Sequence, residues 1–272
     1  MRIIFSRKGF DSAAGGCPSP IVEGRPLSLP IPSSRPTPTT YGALLGRTPL
    51  AELVCDLTRG RLTAESYCHF DPDIEAERRP RAPGWRGALG QVSAAQGHLR
   101  KQGVGPGDLF LFWGLFQTVE RSGSWRLCGA REHRIFGWLQ IEDVERTGTD
   151  PEPTLRRHPW LHEHPHVHGP WSDSNTIYLA SQSLSFRPEC RGWGVFERGL
   201  RLTAAENALP STWRVPSWLD PMTGGTGMTY HPSHRWKRSA MCQIAARGQE
   251  FVADIGERPD AMKWLTRLFE EA

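Results

Sequence analysis

The first group of side chains able to do chemistry follows closely on the N-terminus: Ser6, Arg7, Lys8, Asp11 and Ser12, with the glycine pair Gly15 and Gly16. Two cations, a carboxylate and two hydroxyls beside glycines suit a loop that a phosphate can approach, because backbone N–H groups and cations both favour an anion. In that reading Arg7 and Lys8 hold the phosphate, and Asp11 is a general base or metal ligand. The plainer alternative is a polar loop in which Asp11 caps a turn and Lys8 is solvated. A second group is His69-Phe-Asp71-Pro-Asp73. Alternate side chains of an extended segment share a face, so His69, Asp71 and Asp73 converge. His-x-Asp is also the start of the two-histidine-one-carboxylate set that binds iron in non-haem oxygenases, and its third ligand is a distant histidine. His98, His133 and His166 are the candidates. The competing role for Asp71 and Asp73 is to cap the turn that follows.

A third group is the run His158, His162, His164, His166 and His168. Alternation at 162, 164, 166 and 168 places four imidazoles on one side of an extended chain, a set suited to zinc or iron. Pro165 fixes His166 within this proline-broken loop, which makes His166 the preferred metal ligand of the run. Gln91 and His98 form a pair on a helix expected over Ala88–Gln102, where they can hydrogen-bond a base edge while His98 moves a proton near neutral pH. Trp113 and Trp138 lie on expected strands; there they either stack on a base or fill a core.

These groups need elements to hold them. Ile3-Ile4-Phe5 reads as a buried strand that delivers the first loop. Prolines at 26, 30, 32, 36 and 38 keep residues 24–40 extended on the surface, and 75–86 is irregular. One helix is expected within Tyr41–Gly60, and Gly103 stands where the 88–102 helix needs its C-terminal glycine. Leu109–Phe116 is apolar on both faces and reads as a central strand. Trp125–Cys128, Ile135–Ile141 and Asn175–Ala180 read as further strands, 191–202 as strand and turn, 145–173 as loop and 209–236 as mostly irregular. Gln243–Asp254 is strand or helix. Asp260 opens a final amphipathic helix whose Met262, Trp264, Leu265, Leu268 and Phe269 face inward.

Composition bounds the remainder. Apolar residues make up 38 % and charged residues 23 %, with a formal net charge of +4. No window approaches the roughly 18 apolar residues of a membrane span, so no membrane partner is expected, and the N-terminus lacks a signal-peptide pattern, which points to the cytoplasm. The six cysteines contain no C-x-x-C pair and read as free thiols. Lysine occurs only at 8, 101, 237 and 263, so arginine supplies nearly all the cations. Arginine with 11 tryptophans is compatible with nucleic acid, although drift in a GC-rich genome enriches arginine, glycine and proline as well.

Several segments together carry a family likeness: Ser6–Ser12 with Gly15-Gly16 and Pro18–Ile21; Thr40-Tyr-Gly42; Cys68–Asp73; Gly90-Gln91 with Ala95–Leu99; Gly105-Pro-Gly-Asp-Leu-Phe-Leu-Phe112; and Phe136-Gly-Trp-Leu-Gln140. They resemble the bacterial nucleotide-modification-associated domain family of the third type, from residue 1 to near the C-terminus. The resemblance implies a role in base modification of nucleic acid and carries over no catalytic assignment. Residues 88–145 also look like the small barrels of the PUA, ASCH and EVE superfamily, which bind RNA or modified bases in a cleft. The expectation is one α+β domain over 1–272, with a mixed sheet or partly closed β-barrel flanked by helices. The expected function is modification of a nucleobase or nucleotide. Loop 6–16 and segment 68–73 share a cleft, with a divalent metal, iron or zinc, held by His69, Asp71, Asp73 and His166. Asp11, His69, Asp71 and His98 are the catalytic candidates; Ser6, Arg7, Lys8, Ser12, Gly15, Gly16 and Gln91 contact the nucleotide or nucleic acid. The alternatives are a non-catalytic reader of modified bases and an enzyme acting on another small molecule.

Overall fold

In the computed structural model, which describes every residue except 206–208, 239, 247, 249 and 272, the N-terminal apolar run is a buried strand of a nine-stranded sheet. Its strands are β1 (Arg2–Arg7), β2 (Ser19–Val22), β3 (Arg25–Pro26), β4 (Ala88–Gln91), β5 (Leu109–Ser122), β6 (Ser124–Glu145), β7 (Thr176–Ala180), β8 (Trp193–Arg201) and β9 (Glu250–Asp254). The order is β9-β1-β5-β6-β7-β4, with β8 paired to β6, and β2 to β5 and β3. The sheet is mixed: β1 runs parallel to β5 and antiparallel to β9. Helices α1 (Leu50–Leu57), α2 (Ser93–Lys101), α3 (Glu152–Arg157) and α4 (Pro259–Glu271) make the fold α+β. The end strands β9 and β4 do not pair with each other, so the sheet is not a closed barrel.

Strand β5 is central because its period-two alternation is apolar on both faces. Leu109, Leu111 and Trp113 enter one core with Ile3, Phe5 and the α4 residues Leu265 and Leu268; Phe110, Phe112 and Phe116 enter another with Ile4 and Leu99. Each such buried side chain contributes roughly 1.5–3 kcal/mol of transfer free energy.

The stretch 8–18 is an excursion from a continuing edge. Ile3–Arg7 pair with Leu109–Trp113, the chain then loops out, and Ser19–Ile21 resume pairing on the same strand at Phe116–Thr118. Gly114 permits the exit, since a Cβ there would meet the Lys8 carbonyl oxygen at 2.6 Å.

Two expected elements differ. The 88–102 helix begins only at Ser93, because Ala88–Gln91 pair antiparallel with Thr176–Leu179 and sheet hydrogen bonding overrides the local helical pattern. Gln91 therefore ends a strand and does not share a helical face with His98. Gly103, with φ of +68°, does end α2. Residues 145–173 are not all loop: they contain α3 and short 3-10 turns at Pro159–Glu163 and Pro165–Val167.

Candidate functional site

The 68–73 segment and the first loop do meet. Ile31–Pro32 pair with Cys68–His69, which fixes His69 at the wall of a cavity of about 660 Å³ also bordered by Lys8, Asp71, Gln91, His166 and Trp171. Further along the same segment, the backbone of Asp73 exchanges both hydrogen bonds with Ala88 at the start of β4. This lays the segment along β4, where the Gly90 N–H donates to Asp71 Oδ1 at 2.7 Å. His166 comes from the Pro165–Val167 turn, anchored by Val167 among Ala88, Ile177 and Leu179. His69, Asp71 and His166 each offer a ligand atom, all within 4.8 Å of one another.

Hydrogen bonding settles which His166 nitrogen faces the cluster. Asn175 Nδ2 donates to the carbonyls of His166 and Gly148, so its amide oxygen accepts from His166 Nδ1 at 2.6 Å. His166 Nε2 then carries the lone pair. Its ring stacks on Trp171, with centroids 4.5 Å apart and planes within 2°. It also lies so close over β4 that a Cβ at Gly90 would come within 2.1 Å of His166 Cδ2. His164 stands behind Asp71. Its Nδ1 accepts from the His166 backbone N–H at 3.2 Å, leaving the proton on Nε2, which faces Asp71 Oδ1 at 3.4 Å outside hydrogen-bond geometry.

The charge states match these roles. Burial lowers the pKa of His69 to about 4 and of His166 to about 3, so both imidazoles are neutral at pH 7. Burial acts against the Asp71 carboxylate, but His164, Lys8 and His166 outweigh it and hold that carboxyl below its usual range. Two neutral imidazoles and one carboxylate facing a cavity form a donor set for a divalent metal.

A second buried polar group adjoins the first. Strand pairing sets Ser6 opposite Glu250, and the Ser6 hydroxyl donates to Glu250 Oε1 at 3.0 Å; Gln91 Nε2 donates to the same oxygen. Lys8 lies between the groups, its Nζ 3.7 Å from Glu250 Oε1 and 4.0 Å from Asp71 Oδ2. Burial raises the Glu250 pKa, opposed by Lys8 and Ser6.

Other expected site residues fall elsewhere. Asp73 is buried but paired with Arg79 and Arg81, away from the His69 cluster. Asp11 borders the cavity, yet its carboxylate binds Arg7 and accepts from the Ala13 and Ala14 amides, which closes the loop. Ser12, Gly15 and Gly16 do not line the cavity. Gly15 and Gly16, at φ of +81° and +80°, pack instead against Phe10 and under Arg61. His98 approaches Thr229 and Tyr230 beside an adjoining cavity that Glu250 also borders, and does not line the cavity that holds His69, Asp71 and His166. His133 accepts from the Trp213 indole at 2.9 Å within the core. The 3-10 turns break the expected four-histidine alternation, so His164 and His166 turn inward while His162 and His168 stay exposed. Trp113 is a core residue, and Trp138 packs on Phe196 and Phe269.

Sequence reasoning missed Glu250, Asn175, Trp171, Gly90 and the supporting position of His164. A glutamate opening the apolar run Phe251-Val-Ala is a readable signal for a buried carboxyl; the others depend on tertiary contact. A further ligand-type cluster, Asp143, Glu145 and His158, occurs at the end of β6 and near α3.

The family model described as nucleotide modification associated domain 3 matches residues 2–254. The chain belongs to this family. Membership associates it with nucleotide modification, as the family likeness of the segments from Ser6 to Gln140 implied. No curated protein and no solved structure matches the chain. No helix among the described residues is long and apolar enough to cross a membrane.

Proposed function

We propose that this chain is a divalent-metal-dependent enzyme that modifies a nucleobase or nucleotide, with His69, Asp71 and His166 as the metal ligands. The observation that carries the reading is the convergence of these three donors on one cavity, each neutral or anionic as a ligand must be. Iron is the ion this donor set most often serves, and zinc also accepts it. A bound metal would supply Lewis acidity or activate water or dioxygen beside the substrate.

The chain's own residues do the positioning. Asn175 holds His166 in the tautomer that offers Nε2, and the Gly90 amide fixes one oxygen of Asp71, leaving Oδ2 for the ion. Arg35, exposed where it borders the cavity, is placed to meet a phosphate entering from solvent. Gln91 borders the cavity with Nε2 bound to Glu250, which leaves its amide oxygen to accept from a base edge. Arg7 and Asp11, bound to each other, shape the loop; His98 and Asp73 take no part.

A non-catalytic reader of modified bases needs no metal, so metal content separates the two functions. Elemental analysis of the purified protein is expected to give iron or zinc in stoichiometric amount, lost in His69→Ala and Asp71→Asn. Folded variants lacking the ion should no longer produce modified nucleoside in the native host. A metal-free wild type, or a folded His69→Ala that still produces the nucleoside, overturns the assignment.

A further inference from the structure

Lys8 is the charged group that the metal reading leaves unexplained. Its side chain is only 10 % exposed and stands at the cavity wall. Nζ is ion-paired with two carboxylates only at long range, 3.7 Å from Glu250 Oε1 and 4.0 Å from Asp71 Oδ2, so neither pairing is a short, direct hydrogen bond and the ammonium keeps capacity for a closer acceptor. The local charge does not balance either. A divalent ion with Lys8 brings three positive charges, whereas Asp71 and a fully ionised Glu250 bring two negative ones. Arg7 adds nothing, because Asp11 neutralises it. The three histidines that face the cluster, His69, His164 and His166, supply no negative charge. Surplus buried charge is costly unless a counter-charge joins it.

We infer that the metal and Lys8 together bind an oxyanion, a carboxylate or phosphate group that bridges the ion and Nζ. This rests on the metal reading above. A two-histidine-one-carboxylate set occupies one side of an ion and leaves adjacent positions open. Lys8 lies on the Oδ2 side of Asp71, the side that carries no hydrogen bond from Gly90. A ligand oxygen on the ion beside Oδ2 is therefore within reach of the ammonium, and the added negative charge offsets the surplus. Two sources share this chemistry: the carboxylate of a small organic co-substrate such as a 2-oxo acid, and the phosphate of the nucleotide itself.

Cobalt(II) serves as the probe, since its visible absorption reports ligand exchange. The full-length protein is loaded with cobalt and titrated separately with 2-oxoglutarate, inorganic phosphate and a nucleoside 5′-monophosphate. A saturable spectral change is expected with at least one of them. A response to 2-oxoglutarate alone identifies a co-substrate carboxylate; a response to phosphate and the nucleotide identifies the phosphate source. Lys8→Met should keep full cobalt stoichiometry while weakening that oxyanion by about tenfold or more, the scale of one charge-assisted hydrogen bond, and Lys8→Arg should restore part of it. Intact cobalt binding with no oxyanion response, or equal affinity in Lys8→Met, overturns this proposal alone. Failure of the wild type to bind cobalt overturns the metal centre, and this proposal with it.

Discussion

Among the described residues, two clusters bring a histidine together with carboxylate or further histidine ligands, and they differ in everything except proximity. In Asp143, Glu145 and His158 the donor atoms are already taken: both Glu145 oxygens are engaged, by Arg157 and by His158 Nε2 at 2.9 Å, and Asp143 is exposed. Arg157 and His158 hold the Glu145 carboxyl below its usual range against burial, as in an ion pair whose carboxylate is fully engaged by its own partners. In His69, Asp71 and His166, among the described residues, no hydrogen bond occupies the inward-facing lone pairs, and the supporting bonds lie behind them: His166 Nδ1–H donates to the Asn175 amide oxygen, and the Gly90 N–H donates to Asp71. Outer contacts that orient ligands without occupying them distinguish a prepared site from a chance grouping. Closeness of ligand-type residues therefore says little until their lone pairs are accounted for.

The largest expected effect sets the clusters directly against each other. His166→Ala should abolish stoichiometric metal binding, whereas the double variant Glu145→Gln, His158→Ala should leave metal content unchanged. Isothermal titration with zinc or cobalt measures both. Metal retained in His166→Ala and lost in the double variant would reverse the roles assigned to the two clusters.

The cluster is partly legible in the amino-acid sequence. His69 and Asp71 share one segment, so their convergence follows from local geometry. His166 is one of three distant candidates and stands out only through its neighbour Pro165. Local sequence fails where tertiary contact decides. Ala88–Gln91 have helical neighbours yet form a strand because β7, distant along the chain, supplies hydrogen-bond partners in a register running from Ala88↔Leu179 to Gln91↔Thr176. Glu250 reaches the site only through the pairing of β9 with β1, which no spacing along the chain encodes. Asp73 fits the alternation as well as Asp71 does, but Arg79 and Arg81 claim it. The central strand β5, by contrast, is readable over Leu109–Phe116, because apolar residues on both faces leave it no place but the interior; its polar continuation to Ser122 carries no such signal.

Gly90→Ala probes the support behind the cluster without touching a ligand. Its added Cβ would collide with the His166 ring, so either the Pro165–Val167 turn shifts or β4 bends. Overpacking of this kind costs about 1–3 kcal/mol. The expected outcome is a folded protein with a lowered melting temperature and metal affinity weaker by about tenfold to a hundredfold, as for loss of an outer-shell support. Gly97→Ala, on α2 with open space around it, serves as the matched control, expected to leave metal binding alone and to stabilise by up to about 1 kcal/mol. Equal metal affinity in the two variants would show that the close approach of His166 to β4 is dispensable.

The smallest effect tests whether a half-buried histidine outside both clusters behaves differently from the ligands. His133 has its Nδ1 lone pair filled by the Trp213 indole N–H, and burial lowers its pKa to about 3, with Arg7 acting in the same direction. The folded protein thus keeps His133 neutral where the unfolded chain, near 6.5, takes up a proton. Since the unfolded state binds more protons between these values, stability falls as pH drops from about 6.5 towards 3 and is unaffected by this residue well above 6.5. The loss attributable to His133 at pH 4.5 is on the order of 2–3 kcal/mol. His133→Gln retains an acceptor for Trp213 and cannot titrate, so its urea unfolding free energy should change less between pH 7 and 4.5 than that of the wild type, with metal content unaltered. An unchanged pH slope would mean that His133 accepts its proton in the folded state, and that the indole does not hold it neutral.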